Sequence, residues 1–234
     1  MSARADVDAR EVALERKVLA ANNKKKMRLR QRFVAARTVA INILSSPGSG
    51  KTTLLTALLR ELGTVGLGAA ALVGDCATDN DARRLAASGA PVLQIVTEGM
   101  CHLEADMIDA HLDRLAVEQG APLDDLDVLL LENVGNLVCP AGFDLGETER
   151  WVLLSVSEGE DKPLKYPAAF AGADVVVISK IDLTEPCRFD RAAAHDAIRR
   201  VAPRATVIET SSFTGEGLQD LLRRAAAATR QEGS

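Results

Sequence analysis

The octapeptide SSPGSGKT (45–52) directly follows the apolar run TVAINIL (38–44) and directly precedes a segment with apolar residues at helical spacing. A glycine- and serine-rich turn between a buried strand and a helix presents backbone N–H groups at the helix N-terminus, where anions bind. The octapeptide matches the phosphate-binding pattern G-x-x-x-x-G-K-[ST], except that Ser45 replaces the first glycine. That position starts the turn, and a small serine can adopt the needed backbone. The stretch therefore predicts a strand–loop–helix unit that holds a nucleotide; the alternative is a turn that only caps the helix.

The individual loop residues suit this chemistry. Gly48 and Gly50 let backbone N–H groups turn inward without a Cβ in the way. Lys51 is placed to reach the β- and γ-phosphates, and the Thr52 hydroxyl is placed to ligate Mg²⁺. The predicted phosphate site comprises Gly48, Ser49, Gly50, Lys51, Thr52 and Thr53.

Short apolar runs alternate with helix-patterned segments along the rest of the chain. Continuous Val/Ile/Leu runs are typical of strands buried on both faces, so we predict an α/β fold: a mostly parallel open sheet of about seven strands with helices on both faces. The strands are predicted at 38–44, 69–73, 91–96, 127–132, 151–156, 174–179 and 205–210. The helices are predicted at 51–62, 79–87, 103–118, 190–201 and 217–229.

The chain has 234 residues, of which 47% are hydrophobic, and this suits one large domain. We place that domain, a nucleotide-binding P-loop domain, at residues 38–234. No apolar run approaches the roughly 20 residues of a membrane span, and the N-terminus is polar, so we expect a cytoplasmic protein without membrane contact. Four cysteines are too few and too scattered for a disulfide framework, which favours a thiol or metal role.

Residues 1–37 form a predicted basic helical arm with eleven Lys and Arg against four Asp and Glu, whereas the whole chain has a net charge of −5. The stretch NNKKKMRLRQRF (22–33) suits either a solvated helix or an arm that binds nucleic acid through phosphates. The arm has one phenylalanine and no aromatic series for stacking on bases. We therefore favour the solvated helix and consider nucleic acid an unlikely partner.

Two later motifs predict that the nucleotide is GTP. SKID (179–182) follows a predicted strand and is close to the N-K-x-D pattern that recognises guanine. The Asp182 carboxylate can accept both N1–H and the exocyclic amine of guanine, whereas adenine offers no such pair. The stem of Lys180 is expected along the base, and Ser179 in place of asparagine weakens one polar contact. SSFTGEG (211–217) resembles the last guanine-contacting loop, which adds Ser212 and Phe213 to the predicted site.

Two acidic residues fit the hydrolytic machinery. Asp75 comes directly after a strand, where a carboxylate can hold the Mg²⁺ shell or orient the attacking water. Glu132 ends a strand in LLLENVGN, and Gly135 follows three residues later, so its N–H is placed to sense the γ-phosphate. We predict catalytic roles for Lys51, Asp75 and Glu132; the alternative for either acid is that it caps a helix or turn.

Cys101, His102 and Cys139 also follow strands and are expected at the nucleotide edge of the sheet. Thiolate and imidazole ligands suit Ni²⁺ or Zn²⁺, and a helix N-terminus favours the thiolate of Cys101. Three ligands per chain underfill a tetrahedral site, so sharing across a dimer is plausible. Two buried cysteines and a capping histidine are the alternative explanation.

The ordered motifs SSPGSGKTTLL, GDCATDNDA, GMCHLEADM, ENVGNLVCP, SVSEGEDKPLKYP, SKIDL and SSFTGEGL closely resemble the hydrogenase nickel-incorporation GTPase family, HypB, of the SIMIBI class. The resemblance runs from about residue 12 to residue 230 and includes the serine at position 45. It implies a homodimer that forms on GTP binding and helps to load nickel into the [NiFe]-hydrogenase large subunit with a HypA-type metallochaperone. It also implies a metal site at Cys101, His102 and Cys139, and the short loop from Glu132 to Cys139 suggests that GTP and metal binding are coupled.

The composition of the N-terminal arm limits this resemblance. Residues 1–37 contain no Cys or His, so the N-terminal nickel site or histidine-rich stretch of some family members is not expected.

A urease-type nickel GTPase is an alternative function, although a C-P-H triplet is expected in that family. A nucleic-acid-binding switch and an ATP-driven partitioning factor are further alternatives. Outside the predicted sites we interpret Cys76 as a buried hydrophobe, Cys187 as a loop residue, His111 and His195 as surface or satisfied histidines, and Lys162 and Lys165 as solvated or dimer-crossing lysines.

Overall fold

The apolar runs form seven β-strands in the computed structural model, which describes residues 23–75 and 80–231. The strands are β1 (Val39–Leu44), β2 (Ala69–Asp75), β3 (Val92–Val96), β4 (Val128–Glu132), β5 (Glu149–Ser155), β6 (Val175–Ser179) and β7 (Thr206–Thr210). The helices are α1, described over residues 23–36, α2 (Lys51–Thr64), α3 (Asn80–Ala86), α4 (Ala105–Gln119), α5 (Lys162–Lys165), α6 (Pro167–Ala171), α7 (Arg191–Val201) and α8 (Leu218–Gln231).

The strands form one sheet in the order β3-β2-β4-β1-β5-β6-β7, and every neighbouring pair is parallel. The predicted sheet is confirmed, with β2 extending to Asp75 and β5 beginning at Glu149. Because all strands are parallel, their carboxyl ends and the loops that follow lie along one edge. β1 lies between β4 and β5, where the strand order changes direction, and this is the place at which open α/β sheets bind ligands.

Helices cover both faces of the sheet. Val39, Ile41 and Ile43 of β1 face a core cluster that includes leucines of α2 and α8, whereas Ala40 faces the opposite side with α1 and α4. A third cluster packs α6 and α7 against β5 and β6. Alternate residues of a strand point to opposite faces, so burial on both sides explains the continuous apolar runs.

The described part of the basic arm, α1, packs against the domain. Leu29 and Phe33 are almost fully buried in the cluster that contains α4. Burial of such side chains stabilises the fold by roughly 1.5–3 kcal/mol each, whereas exposed ion pairs contribute about 0–1 kcal/mol, so these two residues dominate the docking of α1. The cations of α1 also pair with acidic groups: Lys25 with Asp106, Lys26 with Asp144, Arg28 with Asp109, and Arg32 with Asp109 and Asp113.

The short helices α5 and α6 were not predicted, because segments of four and five residues are too short to show helical periodicity.

Among the residues that the structure describes, none of the helices has the length and apolar composition that a membrane span requires. The interpretations of Cys76, of residue 79 and of residues 1–22 fall outside the described residues.

Candidate nucleotide and metal site

The loop between β1 and α2 has the backbone of a phosphate cradle. Gly48 and Gly50 have φ values of +74° and +88°, and Gly50 is the N-cap of α2. Ser45 is buried and is not among the described residues with positive φ. Its hydroxyl donates to the Ser46 carbonyl at 3.0 Å, and its backbone forms an isolated antiparallel bridge with Asn136. Serine therefore fits this position without strain.

A cavity of about 420 Å³ lies over this loop. It gathers residues from the carboxyl ends of several strands, among them the predicted Lys51, Thr52, Asp75 and Gly135. Asp81 and Arg84 of α3 also line it, and their side chains form an ion pair at 3.7 Å. These two residues were missed, since a charged pair three residues apart on a short helix carries no distinctive sequence signal.

Glu132, at the end of β4, is directed at the phosphate loop. One carboxylate oxygen, Oε1, accepts from Lys51 Nζ at 2.9 Å and from the Thr52 hydroxyl at 2.9 Å. The other oxygen, Oε2, is buried and has no hydrogen-bond partner among the described residues. Asp75 lines the cavity over the phosphate loop, and carboxylate oxygens such as those of Asp75 and Glu132 are the hard ligands that Mg²⁺ prefers. The donor set therefore fits a magnesium ion next to the phosphates.

Gly135 brings the next loop against the cradle. A Cβ at this position would lie 3.3 Å from the Cα of Pro47, so only glycine allows this approach without displacement. Val134 and Gly135 line the phosphate cavity. The loop after β4 is thus positioned to contact a terminal phosphate.

A second cavity, of about 230 Å³, adjoins the cradle and shares Ser49, Gly50 and Thr53 with the first. The Ser179 hydroxyl donates to the Ser49 carbonyl at 2.8 Å, and Lys180 Nζ donates to the Gly48 carbonyl at 2.6 Å. The SKID segment is therefore tied directly to the phosphate loop. Ser179 makes this connection; the weaker guanine contact expected from serine in place of asparagine stays a prediction.

Asp182, Ser212 and Phe213 line the same second cavity with Lys180, so the predicted base-binding residues are brought together. The Ser211 hydroxyl donates to Asp182 Oδ1 and accepts from the backbone N–H of Phe213 at 3.2 Å. Phe213 is 91% exposed, so its ring is available to cover a base. Ser211 was missed as a functional residue, because its role is to connect the two base-binding loops.

Cys101 and His102 lie at the start of the segment that leads into α4. Cys101 Sγ is 3.9 Å from Nδ1 of His102. The His102 ring stacks on Phe143 with 3.8 Å between the ring centroids, and its Nε2 is buried without a hydrogen-bond partner among the described residues. Thiol and imidazole side by side suit a soft divalent ion.

Cys139 lies on a neighbouring segment, since it caps the short 3₁₀ turn (Pro140–Gly142) that ends at Phe143. However, no group of three or more Cys, His, Asp or Glu side chains in residues 23–75 and 80–231 is arranged to hold a metal ion. A single chain thus pairs Cys101 with His102 but does not gather all three predicted ligands.

Asn133, missed by the sequence analysis, connects the two sites. Its carbonyl accepts from Lys51 Nζ at 2.8 Å, while its side-chain oxygen accepts from the Leu103 N–H at 3.0 Å. Its amide nitrogen donates to Asn42 in β1 at 3.3 Å, and Asn42 donates to Glu147. Asn133 is 1% exposed, so these bonds form in a low-dielectric interior. They hold the segment after His102 close to Lys51.

The other residues singled out earlier have local partners. His111 contacts the Met107 carbonyl, and His195 pairs with Glu209. Lys162 pairs with Glu158 and Lys165 with Asp161, so both lysines have partners in their own chain. Cys187 is exposed.

Comparison with known families and proteins gives consistent matches. The model of the CobW/HypB/UreG nucleotide-binding domain matches residues 39–209. Hydrogenase maturation factor HypB of Escherichia coli is 46% identical over 213 residues, which cover 91% of this chain and 71% of that protein. The hydrogenase/urease maturation factor HypB of Helicobacter pylori is 39% identical, with 92% of this chain and 87% of that protein covered.

Solved structures agree. The crystal structure of HypB from Helicobacter pylori in complex with nickel superposes with a TM-score of 0.84 at 38% identity, covering 90% of this chain and 96% of that one. Hydrogenase maturation factor HypB from Archaeoglobus fulgidus gives a TM-score of 0.81 at 35% identity, covering 90% and 99%. The signal recognition particle 54 kDa protein of Aeropyrum pernix, at 14% identity and a TM-score of 0.56, shares the fold alone.

Proposed function

This chain belongs to the CobW/HypB/UreG family of nucleotide-binding proteins and, within it, to the HypB hydrogenase maturation factors, and from that premise we propose that it is a GTP-hydrolysing nickel metallochaperone. In this function, GTP binding and hydrolysis control a Cys/His metal site that delivers nickel to a [NiFe]-hydrogenase.

The nucleotide part of the proposal is supported by the two adjoining cavities. The phosphates would lie on Gly48 to Thr53, with Lys51 as their cationic partner. Thr52, Asp75 and Glu132 would supply the Mg²⁺ shell, and bound Mg²⁺ would neutralise charge that develops on the phosphates during hydrolysis. Asp182 would select guanine, with Ser211 holding its carboxylate in place.

The metal part is supported by the adjacent thiol and imidazole and by the nickel-bound Helicobacter pylori relative. Because one chain does not gather Cys101, His102 and Cys139 into a three-ligand group, we propose that a second copy completes the coordination. Nickel is the cargo in this scheme, and Zn²⁺ suits the same donors.

The observation that carries the proposal is the pair of neighbouring residues Glu132 and Asn133. Glu132 contacts Lys51 and Thr52 of the phosphate loop, and Asn133 contacts both Lys51 and the segment that follows His102. When Lys51 turns to a γ-phosphate, its bonds to Glu132 and to the Asn133 carbonyl are exchanged for bonds to the nucleotide. The metal segment then senses the nucleotide through Asn133 and through the Gly135 loop that leads to Cys139.

A nickel titration in two nucleotide states tests this coupling. The full chain is loaded with GDP or with a non-hydrolysable GTP analogue, each with Mg²⁺, and Ni²⁺ affinity is measured by calorimetry. Coupling predicts affinities that differ by about 5–150-fold, the usual range for linked sites. Equal nickel affinities in the two states would discard it, and the Cys101→Ala, Cys139→Ala variant serves as the control without metal ligands.

Partner contacts follow from the same scheme. We propose a homodimer that forms on GTP binding, a HypA-type nickel metallochaperone as donor, and the hydrogenase large subunit as recipient. Light scattering with GDP and with the analogue tests the dimer, and a nickel-transfer assay with the purified partners tests the route.

The urease alternative is favoured by one observation, the hydrogenase/urease name of the Helicobacter pylori relative. Delivery of nickel to apo-urease, measured beside delivery to apo-hydrogenase, would distinguish the two recipients. The nucleic-acid alternative has less support, because four cations of α1 pair with acidic groups of the domain.

A further inference from the structure

The imidazole of His102 has a different chemical group at each nitrogen. Nδ1 faces Cys101 Sγ at 3.9 Å, whereas Nε2 lies 3.6 Å from the carboxylate oxygen Oε1 of Glu104. The stack on Phe143 fixes the ring plane between these two groups. The two sides of the ring are therefore not equivalent toward a metal ion.

Glu104 also acts on Lys25, whose pKa is raised mainly by its hydrogen bond to Asp106 and further by the charge of Glu104. Glu104 is the N-cap of α4 in an extended conformation, yet its side chain makes no capping hydrogen bond. The side chain is 31% exposed, and it approaches a histidine nitrogen that is buried and without a hydrogen-bond partner among the described residues. A small rotation of the Glu104 side chain would turn this approach into a hydrogen bond.

Histidines that bind metals usually donate their second N–H to a carboxylate or carbonyl, which fixes the tautomer and raises ligand basicity. With Nε2–H directed at Glu104, the lone pair of His102 is on Nδ1, on the side of the thiol. Zinc bound at about 2.3 Å from sulfur and about 2.0 Å from nitrogen holds these atoms roughly 3.5 Å apart at a tetrahedral angle. The observed 3.9 Å is close to that separation.

We propose that Glu104 is a positioning residue of the metal site, which holds His102 in the Nε2–H tautomer so that Nδ1, beside Cys101, is the ligand atom. This inference rests on the proposed metal-binding function and adds the identity of the ligating nitrogen and its carboxylate partner. Glu104 itself is not a ligand in this arrangement, because it lies on the opposite side of the ring.

Nickel titration of position-104 variants tests the positioning role, with Ni²⁺ alone as the probe. Loss of such a carboxylate partner typically weakens metal binding by about 10–100-fold, so we expect this loss for Glu104→Ala and a smaller one for Glu104→Gln, whose amide oxygen still accepts. Glu118→Ala is the matched control: this acid lies in the last turn of the same helix and pairs with the exposed Arg114, so nickel affinity should not change. Retained GTP affinity shows that each variant is folded.

The tautomer is measured directly by NMR of ¹⁵N-histidine-labelled protein titrated with Zn²⁺, and the chain has only three histidines to assign. We expect the His102 Nδ1 resonance to shift on metal addition while Nε2 keeps its proton. A shift at Nε2, or wild-type nickel affinity in Glu104→Ala, overturns this inference alone. If the wild-type chain did not bind nickel, or if the Cys101→Ala, Cys139→Ala variant bound it as tightly as the wild type, the metal-binding function itself would be overturned.

Discussion

Glu132 and the phosphates of a bound nucleotide compete for the same cation, Lys51. The substitution Glu132→Gln tests this competition. The substitution keeps the shape of the side chain and an oxygen that accepts from Lys51 and Thr52, but it removes the negative charge. Lys51 is only 10% exposed, so in the nucleotide-free protein its ammonium would be left without a buried counter-charge. A phosphate supplies that charge when a nucleotide binds.

The magnitude follows from this burial. Breaking a buried ion pair by removing one partner costs about 3–5 kcal/mol, and we expect the low end, about 3 kcal/mol, because the amide oxygen still accepts. In a domain of this size that loss lowers Tm by about 6–12 °C. Saturation with GDP should recover about half of it, and by linkage GDP should then bind about tenfold more tightly to the variant.

The assay is denaturant and thermal unfolding followed by fluorescence of Trp151, which is the single tryptophan of the chain and is 1% exposed. Unfolding is measured with and without GDP, in the absence of Mg²⁺, so that loss of a magnesium ligand does not contribute. GDP affinity is measured separately by calorimetry. With Mg²⁺ and GTP restored, the same variant should hydrolyse GTP much more slowly, because the magnesium shell has lost a carboxylate.

Asp81→Asn is the matched control, since the half-buried Asp81 lines the phosphate cavity and pairs, across 3.7 Å, with the exposed Arg84. It should change stability by less than about 0.5 kcal/mol. The reasoning is refuted if Glu132→Gln lowers stability equally with and without GDP while its GDP affinity stays at the wild-type value.

Three further substitutions test the site. Asp182→Asn removes two charge-assisted hydrogen bonds to guanine, so calorimetry should show GTP binding at least about 100-fold weaker and xanthosine triphosphate binding stronger; unchanged GTP affinity would contradict the assignment. Gly135→Ala places a methyl group 3.3 Å from Pro47 Cα, so light scattering should show no analogue-induced dimer while GDP still binds; a normal dimer would contradict the switch role. Ser179→Ala loses the bond to the Ser49 carbonyl and should lower stability by about 1–2 kcal/mol, whereas Ser179→Asn should restore it; a neutral Ser179→Ala would count against the tether.

The sheet could be predicted because its strands are buried on both faces. A parallel strand covered by helices has no polar face, so each one appears in the sequence as an apolar run, and the run from 127 to 132 needed only one residue of correction at its start. The short helices α5 and α6 lack such a signal. The docking of α1 was not predicted either, since Leu29 and Phe33 are two apolar residues in a run of cations.

The site was predictable where a motif carries its own chemistry. Lys51, Thr52 and Asp182 lie where their motifs placed them, around the two cavities. Asn133 was not found, because a buried amide acquires its role only from neighbours distant in sequence. Asn133 meets Asn42 across 91 residues, and no local pattern encodes that contact.

The end of β4 explains how one element can serve two ligands. Successive residues of a strand point in opposite directions, so Glu132 reaches the phosphate loop while the next side chain, that of Asn133, reaches Leu103 on the metal side. Lys51 contacts both residues, through the carboxylate of one and the carbonyl of the other. In the proposed coupling, transfer of Lys51 to a phosphate would change the two positions together, while the parallel register with β1 would keep the strand itself fixed. Because only one residue step separates the two contacts, coupling between nucleotide and metal requires a rearrangement of this lysine and its loops but no movement of the sheet.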